Sequence, residues 1–103
     1  MLDLEYLRSN DMIKIVYEEQ NLRTAAYDGD TLAGQCTYVV RDGLWDLEHT
    51  IVDPAYGGQG LAGKLVYELA QKAREKGVKI VPTCSYALKT FEKNAEYADV
   101  WAK

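Results

Sequence analysis

The sequence predicts an α+β fold, with a mostly antiparallel mixed sheet of about five strands and two main helices. In the first half of the chain, segments rich in β-branched and aromatic residues are separated by Asp28-Gly29 and Asp42-Gly43. Asp-Gly pairs between such segments are typical of tight turns in antiparallel hairpins. From Leu61 onward, apolar residues recur at helical spacing instead. This change of period predicts a meander of strands followed by helices.

Four strands are predicted before residue 53, over residues 12–17, 22–27, 32–40 and 44–52. A polar turn near Gln20-Asn21 separates the first two. In the fourth strand, the period of two places four side chains on one face: Trp45, Leu47, His49 and Ile51. Because the other three are apolar, the pattern predicts that this face covers the core, and a buried structural role stays open for His49.

The second half contains the predicted helices. Asp53-Pro54 ends the fourth strand, and residues 56–60 form a glycine-rich bend. The first helix begins at Leu61, keeps apolar residues four apart and stops at Gly77, a residue typical of helix C-termini. Three shorter elements follow: a buried strand at 78–81 closed by Pro82, a second helix at 86–93, and a last turn at 96–102 that packs Tyr97 and Trp101.

Composition predicts a single globular domain over residues 1–103, with a monomer as the default state. Hydrophobic residues make up 48% of the chain and charged residues 27%, a balance typical of a soluble folded core. The net charge is −4 and no basic stripe is present, so no nucleic-acid partner is expected. No apolar stretch approaches the roughly 20 residues of a membrane span, and the acidic residues 1–5 differ from a secretory signal. We therefore expect a cytoplasmic protein that does not bind membranes.

Two cysteines and one histidine limit the metal chemistry that the chain offers. Cys36 and Cys84 form no C-x-x-C pair, and His49 is the single histidine, so no metal site is predicted. A reducing cytosol also disfavours a disulfide between the two cysteines. Cys36 lies in the middle of a predicted strand and is expected in the core.

The glycine-rich bend is predicted to bind an anion, because loop amides and a helix N-terminus both favour phosphate. Residues 58–63 spell G-x-G-x-x-G, but the dinucleotide fold requires parallel strands and an acid near the end of the next strand, where residues 81–84 have none. Residues 58–64 imitate a P-loop, but Leu65 stands where that motif needs Ser or Thr for magnesium. A purely structural strand-to-helix loop is the plainest alternative.

A third motif accounts for the bend together with its surroundings. Residues 57–62 resemble, from their fourth position on, the R/Q-x-x-G-x-G/A loop with which GCN5-related N-acetyltransferases (GNATs) bind the pyrophosphate of acetyl-CoA. Gly57 stands where these proteins usually have Arg or Gln. Three other segments resemble the short YjdJ-like branch of this superfamily: residues 49–54, 81–86 and 96–100. In all, the resemblance runs from about residue 17 to residue 100.

The resemblance implies a truncated GNAT fold and an enzyme that transfers an acetyl group from acetyl-CoA to an amine, which is a small molecule or a protein lysine. Larger members carry one or two helices between their first two strands, and these help to close over the acceptor. This chain has no room for them, so an open and weakly selective acceptor site is expected. Two other classes stay open: a CoA-binding domain without catalysis, and a protein-interaction domain that uses the same groove.

The resemblance assigns the contacts with CoA to two segments. The pyrophosphate is expected at seven consecutive residues: Gly58, Gln59, Gly60, Leu61, Ala62, Gly63 and Lys64. The pantetheine arm is expected to pair with the fourth strand at Thr50, Ile51 and Val52, in the V-shaped opening that this strand forms with the fifth.

Two residues are candidates for the chemistry. His49 lies on the fourth strand where the superfamily often has its general base, and an imidazole suits that role near neutral pH. Cys84 stands where a family motif has Asn, just before the second helix, and a thiol at a helix N-terminus suits acceptance of the acetyl group as a thioester. Phe91 replaces the Tyr that often protonates the leaving thiolate. Direct attack by the amine, a route through acetyl-Cys84 and an inert buried Cys84 all remain open at this point.

Overall fold

The structure, a computed structural model, describes residues 12–103. Strands and α-helices follow one another within this range: β1 (Ile13–Glu18), β2 (Arg23–Asp28), β3 (Thr31–Arg41), β4 (Leu44–Val52), α1 (Leu61–Lys76), β5 (Ile80–Pro82) and α2 (Ser85–Lys93). Short 3-10 turns lie between or after them: Glu19–Asn21, Pro54–Tyr56 and Ala95–Tyr97. Residues 1–5, on which the argument against a secretory signal rests, lie outside the described range.

The five strands form one sheet in the order β1-β2-β3-β4-β5. The first three pairs of neighbours are antiparallel, and β4 and β5 are parallel. This mixed sheet with its two helices confirms the predicted α+β fold. At the β3–β4 turn, Asp42 and Gly43 have φ values of 52° and 77°, as a two-residue hairpin turn of type I′ requires. Between β1 and β2 the chain forms only the 3-10 turn Glu19–Asn21, so no α-helix stands between these strands.

Both helices pack against one face of the sheet. The buried face of α1 consists of six side chains: Leu61, Leu65, Val66, Leu69, Ala70 and Ala73. They share a core with residues of the sheet and of α2, among them Cys36, Tyr38, Trp45, Leu47, Ala87 and Phe91. The hydroxyl of Thr24 donates to the carbonyl of Leu65 at 2.9 Å, which ties β2 to α1. In the part of the chain that the structure describes, no helix combines the length and apolarity needed to cross a bilayer.

The C-terminal segment closes the core beside α2. Tyr97 stacks on Phe91 with ring centroids 4.9 Å apart, and Trp101 meets Phe91 edge-on at 5.9 Å. The backbone of Trp101 also forms a parallel bridge to Ile80 of β5. The predicted packing of Tyr97 and Trp101 is thus confirmed, although regular structure in this segment is limited to a 3-10 turn and the bridge.

Two element boundaries differ from prediction because of backbone conformation or backbone hydrogen bonding. β2 begins at Arg23 because Leu22 adopts a left-handed conformation with φ of 52°. β5 begins at Ile80, two residues later than predicted, because the amide of Val78 closes the end of α1 by donating to the carbonyl of Ala73 at 2.9 Å. The other ends of the strands and α-helices agree with prediction to within one residue.

Candidate active site

β4 and β5 run side by side for only three residue pairs and then separate. The pairs are Trp45 with Ile80, Asp46 with Val81, and Leu47 with Pro82. β4 continues to Val52, whereas the chain after Pro82 turns into α2. On this side, residues 48–52 therefore face no strand among the described residues. The result is a V-shaped opening in which an edge of β4 is available to an extended ligand.

A β-bulge in β4 decides which way its side chains point. Thr37 of β3 pairs with His49, but the next residue, Tyr38, pairs with Leu47. Glu48 is therefore an extra residue in β4. Because side chains alternate with a period of two, one extra residue reverses the alternation beyond it.

Because of the bulge, the prediction that Trp45, Leu47, His49 and Ile51 share one face of β4 is wrong. Trp45 and Leu47 are buried in the core as predicted, but His49 and Ile51 are exposed on the opposite, outer face, and Ile51 is 57% exposed. Thr50 takes their place on the inner face. The exposure of His49 rules out a buried structural role for it.

The inner face of β4 brings both cysteines to Thr50. The hydroxyl of Thr50 lies 3.7 Å from Sγ of Cys36 and 3.6 Å from Sγ of Cys84. Cys36 is fully buried, as predicted, and burial raises the pKa of its thiol to about 12. Cys84 is only partly buried and stands directly before α2. Of the two thiols, Cys84 is therefore the one available for chemistry.

His49 and Cys84 border the same opening but are not brought together on one face. Cys84 contacts Thr50 on the inner side of β4, whereas the neighbouring His49 projects from the outer side. The amide of Cys84 donates to the carbonyl of Leu47 at 2.9 Å, which fixes the start of α2 at the point where the strands separate. Within residues 12–103, no three His, Cys, Asp or Glu side chains are grouped as metal ligands.

The glycine loop connects β4 to the N-terminus of α1. Gly58 and Gly60 have φ values of 80° and 75°, conformations that glycine adopts without strain. A Cβ atom added at either position would meet no atom beyond the neighbouring residues within 4 Å, so backbone conformation rather than packing favours glycine at both positions. Gly63 and Lys64 lie in the first turn of α1, as predicted.

The charge at the start of α1 fits a bound anion. Lys64 is exposed at the positive end of the α1 dipole and forms no ion pair with the described residues. This lysine and the helix N-terminus both favour a phosphate group beside the loop.

Tyr86 links the first turns of the two helices. Its hydroxyl lies 3.4 Å from the position that a Cβ atom would take on Gly63. Tyr86 is 41% exposed, and its hydroxyl lies beside the first turn of α1. This approach of α2 to α1 has no signal in the sequence, because it joins residues on two separate helices.

The family model of the GCN5-related N-acetyl-transferases matches residues 23–100 of the chain. The match includes β4, the glycine loop and the start of α2, which together form the opening. The chain belongs to the GCN5-related N-acetyltransferase family. The predicted family is thereby confirmed, while placement of this GNAT protein in the YjdJ-like branch stays a prediction.

Two solved structures are similar to this GNAT protein. The NMR structure of a GCN5-like candidate N-acetyltransferase from Staphylococcus aureus is 30% identical in sequence, with a TM-score of 0.69, and the match covers 88% of this chain and 89% of that one. The crystal structure of a candidate GNAT-family acetyltransferase from Desulfovibrio desulfuricans is 21% identical, with a TM-score of 0.56, over 69% of this chain and 52% of that one. The second likeness shows the shared fold alone. No protein with a curated description matches the chain.

Proposed function

We propose that this GNAT protein transfers an acetyl group from acetyl-CoA to an amine by way of acetyl-Cys84. The observation that carries the proposal is the position of the Cys84 thiol. It stands at the N-terminus of α2, where β4 leaves β5, and 3.6 Å from the hydroxyl of Thr50. A ligand that pairs with the free edge of β4 would bring its inner end to this thiol.

The glycine loop is proposed to hold the pyrophosphate of acetyl-CoA. The amides of residues 58–64 and the N-terminus of α1 supply positive partial charge, and the exposed Lys64 adds a full charge. Gly57 offers no side chain where other family members have Arg or Gln, so backbone amides and Lys64 would make this contact. The pantetheine arm would then follow the backbone of Thr50, Ile51 and Val52 into the opening.

In the proposed first step, the thiolate of Cys84 attacks the carbonyl carbon of the acetyl thioester. A bond forms between Cys84 Sγ and the acetyl carbon, and the bond from that carbon to the sulfur of CoA breaks. The CoA sulfur leaves with the electron pair and takes a proton from solvent, which replaces the proton that Cys84 gave up. Phe91 is only 2% exposed within the core and offers no phenol for this protonation.

In the proposed second step, an amine attacks the carbonyl carbon of acetyl-Cys84. The new nitrogen–carbon bond replaces the carbon–sulfur bond, the Cys84 thiolate leaves, and the nitrogen loses a proton. His49 is exposed on the outer face of β4 beside the opening, so we assign this proton to its imidazole. The amine would then approach from the outer face of the sheet, opposite to the helices.

The acceptor is proposed to be any of a broad range of amines, from small molecules to protein lysines. The helices with which larger GNAT proteins help to close over their acceptor do not occur between β1 and β2 here. A net charge of −4 gives basic acceptors a mild electrostatic advantage. We also propose that residues 1–103 act as a single cytoplasmic domain and as a monomer.

A CoA-binding domain without catalysis is the second candidate. Two departures from the family pattern favour it, namely Gly57 in the pyrophosphate loop and Phe91 in place of the usual Tyr. Such a domain would bind acetyl-CoA in the same place but would acetylate neither Cys84 nor an amine. A protein-interaction domain that uses the groove would not bind CoA.

Mass spectrometry after incubation with acetyl-CoA tests the proposal. The wild type is expected to gain one acetyl group on the peptide that contains Cys84, and to lose it when an amine is added. The Cys84→Ala variant should bind acetyl-CoA but remain unmodified. His49→Gln is the matched control, because it should still gain the acetyl group while passing it to an amine more slowly.

Each other outcome favours a different function. Acetylation of an amine by Cys84→Ala at the wild-type rate would contradict the covalent route and indicate direct attack by the amine. Binding of acetyl-CoA with no acetylation of either Cys84 or an amine would support the non-catalytic domain. Failure to bind acetyl-CoA at all would support the protein-interaction domain.

A further inference from the structure

We infer that the hydroxyl of Thr50, supported by the buried thiol of Cys36, is a hydrogen-bond donor that stabilises the thiolate of Cys84 and orients its sulfur toward the opening. The inference rests on the proposed role of Cys84. In this role the side chain of Thr50 positions the sulfur of Cys84. This role is additional to the contact proposed between the Thr50 backbone and CoA.

Three elements converge on this hydroxyl. Thr50 Oγ1 lies 3.6 Å from Sγ of Cys84 at the start of α2 and 3.7 Å from Sγ of Cys36 in β3. The bulge at Glu48 is what turns Thr50 to the inner face of β4. The amide of Cys84 is hydrogen-bonded to the carbonyl of Leu47 at 2.9 Å. The contact is therefore set by the backbone of two strands and a helix start.

The direction of this hydrogen-bond chain reverses when Cys84 loses its proton. In the neutral state, the thiol of Cys84 donates to Thr50 Oγ1, and the Thr50 hydroxyl donates to Sγ of Cys36. A thiolate at Cys84 can only accept, so the Thr50 hydroxyl rotates toward it and the Cys36 thiol donates to Thr50 Oγ1 in turn. Cys36 keeps its proton in this arrangement because burial raises the pKa of its thiol to about 12. The reversal needs only rotation of one O–H and one S–H bond.

The charged side chains of β4 and α1 near this point are engaged elsewhere or face away. Asp46 accepts a hydrogen bond from Thr83 and pairs with Arg41 at 3.2 Å. Glu48 also pairs with Arg41 at 3.2 Å, and His49 projects from the outer face. Two further titratable groups lie on the helices that flank the opening, Tyr86 on α2 and Lys64 on α1, and both are exposed. Thr50 is thus the side chain that meets the thiol directly, with Cys36 behind it.

The rate of alkylation of Cys84 by iodoacetamide at neutral pH tests this role without any CoA. Peptide mapping assigns the alkylated residue, and the buried Cys36 remains unreacted in the folded protein. Thr50→Val removes the hydroxyl but keeps the shape of the side chain. We expect Cys84 to be alkylated about tenfold more slowly in this variant than in the wild type, the effect of losing one hydrogen bond to a charged group. Thr50→Ser keeps the hydroxyl and should restore the wild-type rate, and Cys36→Ala should give a smaller decrease.

A wild-type alkylation rate in Thr50→Val would overturn the inference, and so would equal decreases in Thr50→Val and Thr50→Ser. Because iodoacetamide reports on the thiol alone, these results hold whether or not the wild type accepts an acetyl group. If the proposed function is wrong, mass spectrometry detects no acetyl-Cys84 in the wild type, and this result is independent of the alkylation experiment. If both ideas hold, acetyl-Cys84 forms about tenfold more slowly in Thr50→Val than in Thr50→Ser at neutral pH.

Discussion

At the scale of single residues, Gly60 and Gly77 stand at the two ends of α1 in the same left-handed conformation, with φ of 75° and 70°. A Cβ atom at either position would meet no atom beyond the neighbouring residues within 4 Å. Replacing either glycine by Ala therefore costs backbone strain alone, about 1–2 kcal/mol of the free energy of unfolding. Only Gly60 belongs to the proposed pyrophosphate loop. We expect Gly60→Ala to weaken acetyl-CoA binding by about tenfold or more, equivalent to about 1.4 kcal/mol, and Gly77→Ala to leave it unchanged.

Urea unfolding and calorimetric titration separate the two effects. Similar losses of stability in Gly60→Ala and Gly77→Ala, with affinity reduced in Gly60→Ala alone, would support the loop as the binding site. Unchanged affinity in both variants would place acetyl-CoA elsewhere on the molecule.

For His49, the sequence predicts the strand but not the face of the strand on which the side chain lies. Its position in β4 was predicted correctly, but its face was not, because the period of two assumes an uninterrupted strand. The bulge that reverses the alternation is defined by the pairing of Thr37 with His49 and of Tyr38 with Leu47. That pairing joins two strands, and the residues of β4 by themselves do not contain it.

At the scale of secondary-structure elements, a polar network on the outer face ties β1, β2 and β3 together. Arg23 Nε donates to Glu18 Oε1 at 2.7 Å, and a second guanidinium nitrogen of Arg23 donates to Gln35 at 2.7 Å. The hydroxyl of Tyr27 donates to Glu18 Oε2 at 2.6 Å. Hydrogen bonds from Tyr27, Asn21 and Arg23, in that order of size, lower the pKa of Glu18 from 4.5 to about 2.

The network should make stability depend on pH in the acid range. The pKa of Glu18 is lower in the folded than in the unfolded state, so its contribution is fully present above about pH 4.5 and is lost as the pH falls toward 2. We expect Glu18→Gln to lower the free energy of unfolding by about 1 kcal/mol at neutral pH, as is typical of partly exposed charged pairs. The variant should also lose less stability than the wild type on acidification.

Urea unfolding at neutral and acid pH measures this effect. Glu75→Gln is the matched control, because Glu75 is exposed and only pairs with Lys72 at 3.5 Å. If the stability of Glu18→Gln falls with pH as steeply as that of the wild type, the network does not stabilise the sheet as described.

The order and type of the elements could be predicted because local signals mark their ends. The positive φ values of Asp42 and Gly43, and of Gly77 at the end of α1, follow from the preference of these residues for turns and caps. The start of β5 could not be predicted in this way. The sequence does not show that the amide of Val78 closes α1 onto Ala73 and is therefore lost to the sheet.

At the scale of the whole molecule, the site is an assembly of segments that are far apart in the chain. The glycine loop could be located from one contiguous segment, and the phosphate site proposed there depends on local backbone geometry alone. The contact of Cys36, Thr50 and Cys84 could not, because it requires β3, β4 and the start of α2 to meet. The same topology leaves the outer face of β4 free of both helices, and this is where the amine is proposed to enter.

A titration of acetyl-CoA into the labelled protein, followed by backbone amide shifts, tests whether the opening and the glycine loop bind this ligand. We expect shifts concentrated at residues 50–52 and 58–64, since these segments border the opening and the N-terminus of α1. Gly77, at the far end of α1, should not shift and serves as an internal control. No shift at millimolar acetyl-CoA, or shifts confined to other parts of the chain, would contradict binding at this site.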